Sequence, residues 1–335
     1  MRTHFLVIGL FLLLLITGSC SSGNIGVKAT GLTYEVVVVM NRDYWKSDIG
    51  EAIRADLASA VPGLPQEEPS MKITYVEPKD FNGLLTYVRN IFILNIDPAI
   101  YTKTSLVIEK DRWAKGQDVI TMNTPSRESV LEYTKEHERI LVDYFVKVEM
   151  QRAVAQLEKD YSPLVYNKLK EKFDISFKAP DNMTFYRDTT GFFWASNNAN
   201  LGRTDLIVYT FPYTDPNTFT MDFLIAKRDS VLKVNLPGAF PNSYMATETR
   251  IPTVTYKALT INGKYTGVLR GLWRMVGDQM GGPFISHAYL DEVNNRVVVV
   301  EGFVFAPETT KRNYIRRIEA ALYTLHLLGE TTSEK

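Results

Sequence analysis

The sequence predicts an α+β fold of antiparallel sheets with helices packed on one face, and three features predict it. Runs with strand character precede stretches of helical period in both halves: "YEVVVVM" (34–40) leads into "SDIGEAIRADLASAV", and "DLIVYTFPY" leads into "TFTMDFLIAKRDSVLKV". Tight turns at "AKGQ", Asn262-Gly263 and Asn294-Asn295 join neighbouring strands, which must then run antiparallel. Aromatic residues make up 12% of the chain, with 18 Tyr and 17 Phe, and such side chains favour a pleated, half-buried surface.

Each element follows from its residues. The valines of "YEVVVVM" make a buried strand. Ser47 or Asp48 caps the next helix, whose Ile49, Ile53, Leu57 and Val61 form one stripe before Pro62 and Gly63 end it. "MKITYVEP" is a strand, "FNGLLTYVRN" a short helix and "IFILNID" a strand. "SLVIEKDRW" and "DVITMNT" then pair as a hairpin. Thr124 and Pro125 open a long helix over 126–161 with Leu141, Tyr144, Phe145 and Val148 on its buried stripe. At about 1.5 Å per residue it would be roughly 50 Å long. In the second half "DISFKAP", "MTFYR", "GFFWASN" and "DLIVYTFPY" are strands, and a helix then ends at "NLPG". Two hairpins follow, "TVTYKALTING" with "KYTGVLRGLWRMVG" and "PFISHAYLD" with "NRVVVVEGFVFAP", and "KRNYIRRIEAALYTLHLL" closes the chain as a helix.

The halves share an order: strand, helix, Pro-Gly turn ("VPGLP", "LPGAFP"), hairpin, proline, helix. That order suggests two similar halves. The expected division is a signal peptide at 1–19, a lipid-anchored flexible tether at 20–32, halves at 33–165 and 166–329, and a disordered tail at 330–335. Lys+Arg and Asp+Glu are equal at 38, so no net field draws nucleic acid or an anionic membrane, and no nucleic-acid partner is expected.

The chain opens with "MRTH", an apolar run from Phe5 to Ile16, and then "TGSC", which carries the single cysteine, Cys20. The run is too short to span a bilayer core, which takes about 20 residues, and has the layout of a secretory signal peptide. "TGSC" resembles the lipobox of bacterial lipoproteins, with Thr17 where a leucine is usual. The resemblance implies lipidation of Cys20 and a membrane as partner. Ser21 follows where an acidic residue would suggest inner-membrane retention, so the periplasmic face of the outer membrane is the expected location.

Catalytic constellations are missing from the sequence. It holds no G-x-S-x-G, no H-E-x-x-H, no phosphate-cradling glycine loop and no histidine or cysteine pair at zinc spacing. No catalytic residue, metal or cofactor is therefore expected. His137 and His326 fall on apolar helical stripes and read as core histidines. His287 points away from the face of Phe284, Ala288 and Leu290, exposed beside Tyr289 and Asp291. Paired carboxylates on an envelope glycan or peptide are the alternative chemistry, and spacing in sequence cannot show them.

Two segments set aromatics beside amide side chains, the makings of a sugar or peptide groove. "GFFWASNNANLGR" offers Trp194, Asn197, Asn198 and Arg203; "RGLWRMVGDQMGGPF" offers Trp273, Arg274, Asp278 and Gln279. The competing reading makes the aromatics core and the Asn and Gly residues turns. The start of the chain, its length, "DRWAKGQDV" and "RGLWRMVGDQMGGPF" together resemble a family of uncharacterised Bacteroidetes-type lipoproteins, catalogued as a domain of unknown function. That resemblance implies no activity. The expectation is a lipid-anchored envelope protein acting as a non-catalytic binding or assembly factor for an envelope glycan, peptide or protein.

Overall fold

The computed structural model describes residues 26–328. The expected signal peptide, Cys20 and the tail at 330–335 lie outside the described residues. The chain is α+β. Residues 27–30, expected in the flexible tether, are docked: the Ala29 amide donates to the Lys115 carbonyl (2.9 Å), and the Thr30 amide to that of Tyr87 (2.8 Å).

The first half runs β1 (Glu35–Val39), α1 (Arg42–Trp45), α2 (Asp48–Leu57), β2 (Lys72–Val76), β3 (Asn90–Ile96), β4 (Ser105–Lys110), β5 (Asp118–Thr124), α3 (Arg127–Glu136) and α4 (Ile140–Leu157). Its sheet has the order β2-β1-β3-β5-β4. The β4–β5 hairpin is antiparallel as expected, but β1 pairs in parallel with β2 and β3, and β3 with β5. A parallel pair needs a crossover, and α2 is that crossover between β1 and β2. The unbroken valine run fits this arrangement. Val36 and Val38 face the helices, Val37 and Val39 enter a second core against Phe81 and Leu85, and a strand buried on both faces needs no alternation.

The helix expected over 126–161 is two helices. Arg139 adopts φ 64° between them. Asp56 accepts hydrogen bonds from the Val142 (2.9 Å) and Leu141 (3.4 Å) amides, capping the start of α4 and fixing the break. His137 is therefore no core residue. It ends α3 in the open, stacked on Tyr133 at 4.2 Å.

The second half runs α5 (Pro163–Phe173), β6 (Ile175–Ser176), β7 (Phe185–Thr189), β8 (Phe192–Ser196), β9 (Arg203–Pro212), α6 (Met221–Asn235), β10 (Tyr244–Thr247), β11 (Thr255–Ile261), β12 (Lys264–Val276), β13 (Gly281–Asp291), β14 (Arg296–Phe305), α7 (Arg312–Leu322) and β15 (His326–Leu327). The larger sheet is antiparallel throughout, ordered β10-β12-β13-β14-β9-β8-β7, with β11 on β12. The turn at Asn262 (φ 50°) and Gly263 (φ 76°) is the one its sequence asked for. The closing helix stops at Leu322, and exposed His326 pairs in β15 with β6 instead of extending it. Helices cover the larger sheet on both faces, not one. Leu169, Phe173, Ile315 and Ile318 of α5 and α7 pack on one face, and Leu224 and Leu232 of α6 on the other. The two halves share helix-covered sheets but not their strand pairing.

The halves are joined through the loop between α2 and β2. Glu68 accepts from the Lys311 (2.7 Å) and Arg312 (2.9 Å) amides at the start of α7, where a carboxylate also complements the helix dipole.

Candidate functional site

Alternation along β8 puts Phe192 and Trp194 on the α6 face of the larger sheet and Phe193 on the other, so the strand is buried between layers. Trp194 is half-buried. Its indole N–H donates to Asp205 (2.9 Å), which also accepts from Arg203 Nε (3.0 Å), and the Arg203 guanidinium lies over the indole at 5.6 Å. Burial raises the Asp205 pKa, and these donors oppose the rise. Asn197 shapes the turn: its Oδ1 accepts from the Ala199 (3.2 Å) and Thr204 (3.0 Å) amides. Asn198 takes the left-handed conformation at φ 47°. The amides of this segment therefore organise a loop, and the aromatic–arginine pair is closed on itself by Asp205.

The second segment frames a cleft of about 650 Å³ at the β12–β13 turn, lined by Arg274, Asp278 and Gln279 with Glu248, Ile251 and Met280, and reached from the first half by Pro65. Trp273 forms its back wall as a core residue. It is 2% exposed, its indole donates to the Val304 carbonyl (3.2 Å), and it meets Phe303 edge-on at 5.6 Å. The cross-strand neighbour must be glycine, since a Cβ on Gly282 would fall 2.1 Å from the Val304 oxygen. Alternation places Arg274 opposite Trp273, where Arg274 Nε lies 3.9 Å from Glu248. Hydrogen bonds from the Arg250 side chain and backbone, with Arg274 nearby, hold the Glu248 carboxyl at about 2 against the opposing effect of burial. The cleft thus offers a fixed carboxylate, two guanidinium groups and a free carboxamide edge.

A third feature was not anticipated. A cavity of about 680 Å³ lies where the halves meet, between α4, α7 and the entry to β1. On its floor buried Glu149 accepts from Asn90 Nδ2 (2.8 Å) and Arg152 Nη1 (2.6 Å) and pairs with Arg89 Nε (3.0 Å). Arg152 Nη2 reaches Asp118 (2.7 Å). The available signal was Glu149 and Arg152, each four residues, one turn, beyond Phe145 and Val148 of the apolar stripe.

His287 is fully buried, contrary to the exposed position expected. Its Nδ1 lies 3.3 Å from the Tyr289 hydroxyl. Burial, with Arg270 nearby, pushes its pKa down to about 3, so the ring is neutral. Among the described residues no cluster of three or more His, Cys, Asp or Glu is arranged to hold a metal ion, and no helix is long and apolar enough to cross a membrane.

Among solved structures, the Ran-binding protein Mog1p of Saccharomyces cerevisiae is 10% identical, with 46% of this chain and 90% of that chain covered and a TM-score of 0.29. A protein of Bacteroides thetaiotaomicron is 13% identical over 48% of this chain and 47% of that one, with a TM-score of 0.21. Likeness of that extent carries no argument about function. No curated protein matches. The chain divides between two family models: residues 29–158 match one described as a domain of unknown function, DUF8532, and residues 162–324 match another, DUF4837. The models meet just ahead of α5, a few residues before the expected boundary at 165/166, and α5 packs into the second core.

Proposed function

We propose that the protein is a lipid-anchored cell-envelope protein, tethered through Cys20 to the periplasmic face of the outer membrane, whose body is a non-catalytic binding or assembly factor. The β12–β13 cleft supports the binding role. It is an open, charge-paired recess whose carboxylate is tied to arginine. At about 2, Glu248 has no proton to give near neutrality, so it does not fit the acid of a paired-carboxylate hydrolase. A glycan or peptide offering hydroxyls or amides fits such a lining. Docking of residues 27–30 leaves only residues 21–26 between an anchored Cys20 and the body, a reach of at most about 25 Å. The body would work close to the leaflet.

Two measurements test this reading. Mass spectrometry of the mature N-terminus should find acylated Cys20, and Cys20→Ser should move the protein to the soluble fraction. Crosslinking in intact cells should capture an envelope component that Arg274→Gln and Gln279→Ala lose together. An unmodified terminus ends the anchor; capture unchanged in both cleft variants ends the proposed site.

A further inference from the structure

The chain enters the body across a layer that covers the first sheet on the face away from its helices. Residues 27–30, the turn at 111–117 and the loop at 78–88 form this layer, over Val37, Val39, Ile91 and Val119. The Lys115 amide donates to the Val27 carbonyl (2.8 Å) and the Arg89 amide to that of Thr30 (2.9 Å). Gln117 Nε2 ties turn to loop, donating to the Thr86 and Val88 carbonyls (2.7 Å each). An entry fixed in this way gives the body one orientation relative to the chain upstream.

The outside of the layer is apolar and cationic. Val27 is 49% exposed and Leu84 80%. Lys28 and Lys115 stand side by side in a parallel bridge, both exposed. Like charges so placed repel, and among the described residues neither lysine has an ion-pair partner. Trp113 is half-buried beside them, with the Arg112 guanidinium 4.3 Å over its ring. The acids of these segments are mostly taken up: Glu109 by Arg112 (2.7 Å), Glu77 by Lys79 (3.5 Å) and Arg42 (3.4 Å), and Asp111 by the Gly116 amide. Asp80 alone has no partner among the described residues. Positive and negative residues balance over the whole chain, 38 of each, so any attraction here is local.

We infer that this layer lies on an anionic phospholipid leaflet, with Val27 and Leu84 at its interface and Lys28 and Lys115 on lipid phosphates. The inference rests on the proposed anchor at Cys20 and adds to it the side of the body that meets the lipid. From Cys20 to Val27 the chain reaches at most about 25 Å, whereas a body of this size is about 50 Å across. The side opposite the layer therefore cannot be brought to the leaflet. The acyl chains supply the affinity, so the layer has only to bias orientation. Each lysine near an anionic surface contributes about fivefold to that bias. Lysine stems and an indole suit the depth of the headgroups.

The test reconstitutes the full chain in vesicles of phosphatidylcholine, with and without phosphatidylglycerol. An environment-sensitive fluorophore is placed on Leu84→Cys and, as the control, on Val234→Cys, an exposed position of α6. With phosphatidylglycerol present, the emission from Leu84→Cys should shift to shorter wavelength, and that from Val234→Cys should stay as in solution. The shift should be smaller on phosphatidylcholine alone and shrink with added salt. Lys115→Glu should reduce the shifted population about fivefold or more, yet it replaces a repulsive pair with an ion pair and should not lower the unfolding temperature. Loss of lipid contact in an equally stable protein is a result that misfolding cannot produce. If the Leu84→Cys label reads as it does in solution, or if Lys115→Glu leaves its shift unchanged, the inference is overturned. Mass spectrometry of the same preparation reads the anchor separately. If Cys20 proves bare, the anchor fails on its own, and the same shift, read with Cys20→Ser in each variant and vesicles added to the dissolved protein, still decides the layer.

Discussion

Arg228, buried against the larger sheet, and Arg316, buried where α7 meets the first half, are both enclosed arginines, and the protein treats them differently. Arg228, fully buried, meets Glu301 through Nε (2.8 Å) and Nη2 (2.7 Å), gives Nη1 to Thr247 (2.8 Å), and sits 3.8 Å over the Phe284 ring. Arg316 has one hydroxyl, one aromatic face and an idle Nε. A buried charge is tolerated when its partners saturate it, and the Arg228 cluster is closed in that way. Arg316 meets fewer partners, and no carboxylate is bonded to it. The closed cluster pins α6 to β14 and β10.

The largest effect should come from breaking the closed cluster. Arg228→Met leaves Glu301 charged and alone, and should cost about 3–5 kcal/mol by denaturant unfolding, with much of it recovered when Glu301→Leu is added. Arg316→Met should cost far less, about 1–2 kcal/mol. Equal losses at the two positions would remove the distinction between them.

His287 sharpens the comparison through pH. Its pKa lies near 3 in the folded protein against 6.5 for a free imidazole, so below 6.5 the unfolded chain takes up the proton first. Stability should fall as pH drops from 6.5 towards 3, by about 1.4 kcal/mol per unit at most, and His287→Gln should flatten that slope. A slope unchanged in the variant would assign it elsewhere.

Glu248 predicts a smaller effect at lower pH. A carboxyl held near 2 instead of 4.5 stabilises the fold above 4.5 and loses that contribution as pH falls through about 2. In Arg250→Ala the Glu248 pKa, followed by NMR, should move up towards 4.5. A value that stays near 2 would show that Arg274 holds the carboxylate without help.

Much of this architecture was legible in short-range chemistry. Ser47 caps α2, Asn262-Gly263 turns the β11–β12 hairpin, and the aromatics of "GFFWASN" divide between faces because a strand alternates. Long-range facts were not legible. Nothing local shows that Asp56 will cap α4 and split a continuous helical period, or that a valine run will pair in parallel. The candidate residues were half legible. Arg274, Asp278 and Gln279 do line one cleft, whereas Trp273 is its buried wall and Asn197 a turn former. The cavity between the halves stayed hidden because Tyr34, Arg89, Glu149 and Tyr314 are far apart in the chain and converge only when α7 meets the entry to β1.

The most direct test of the contrast measures denaturant unfolding of Arg228→Met and Arg316→Met side by side, with Glu301→Leu added to the first. A clearly larger loss at Arg228, much of it recovered in the double variant, is the predicted result; equal losses at the two positions, or no recovery, would contradict the account.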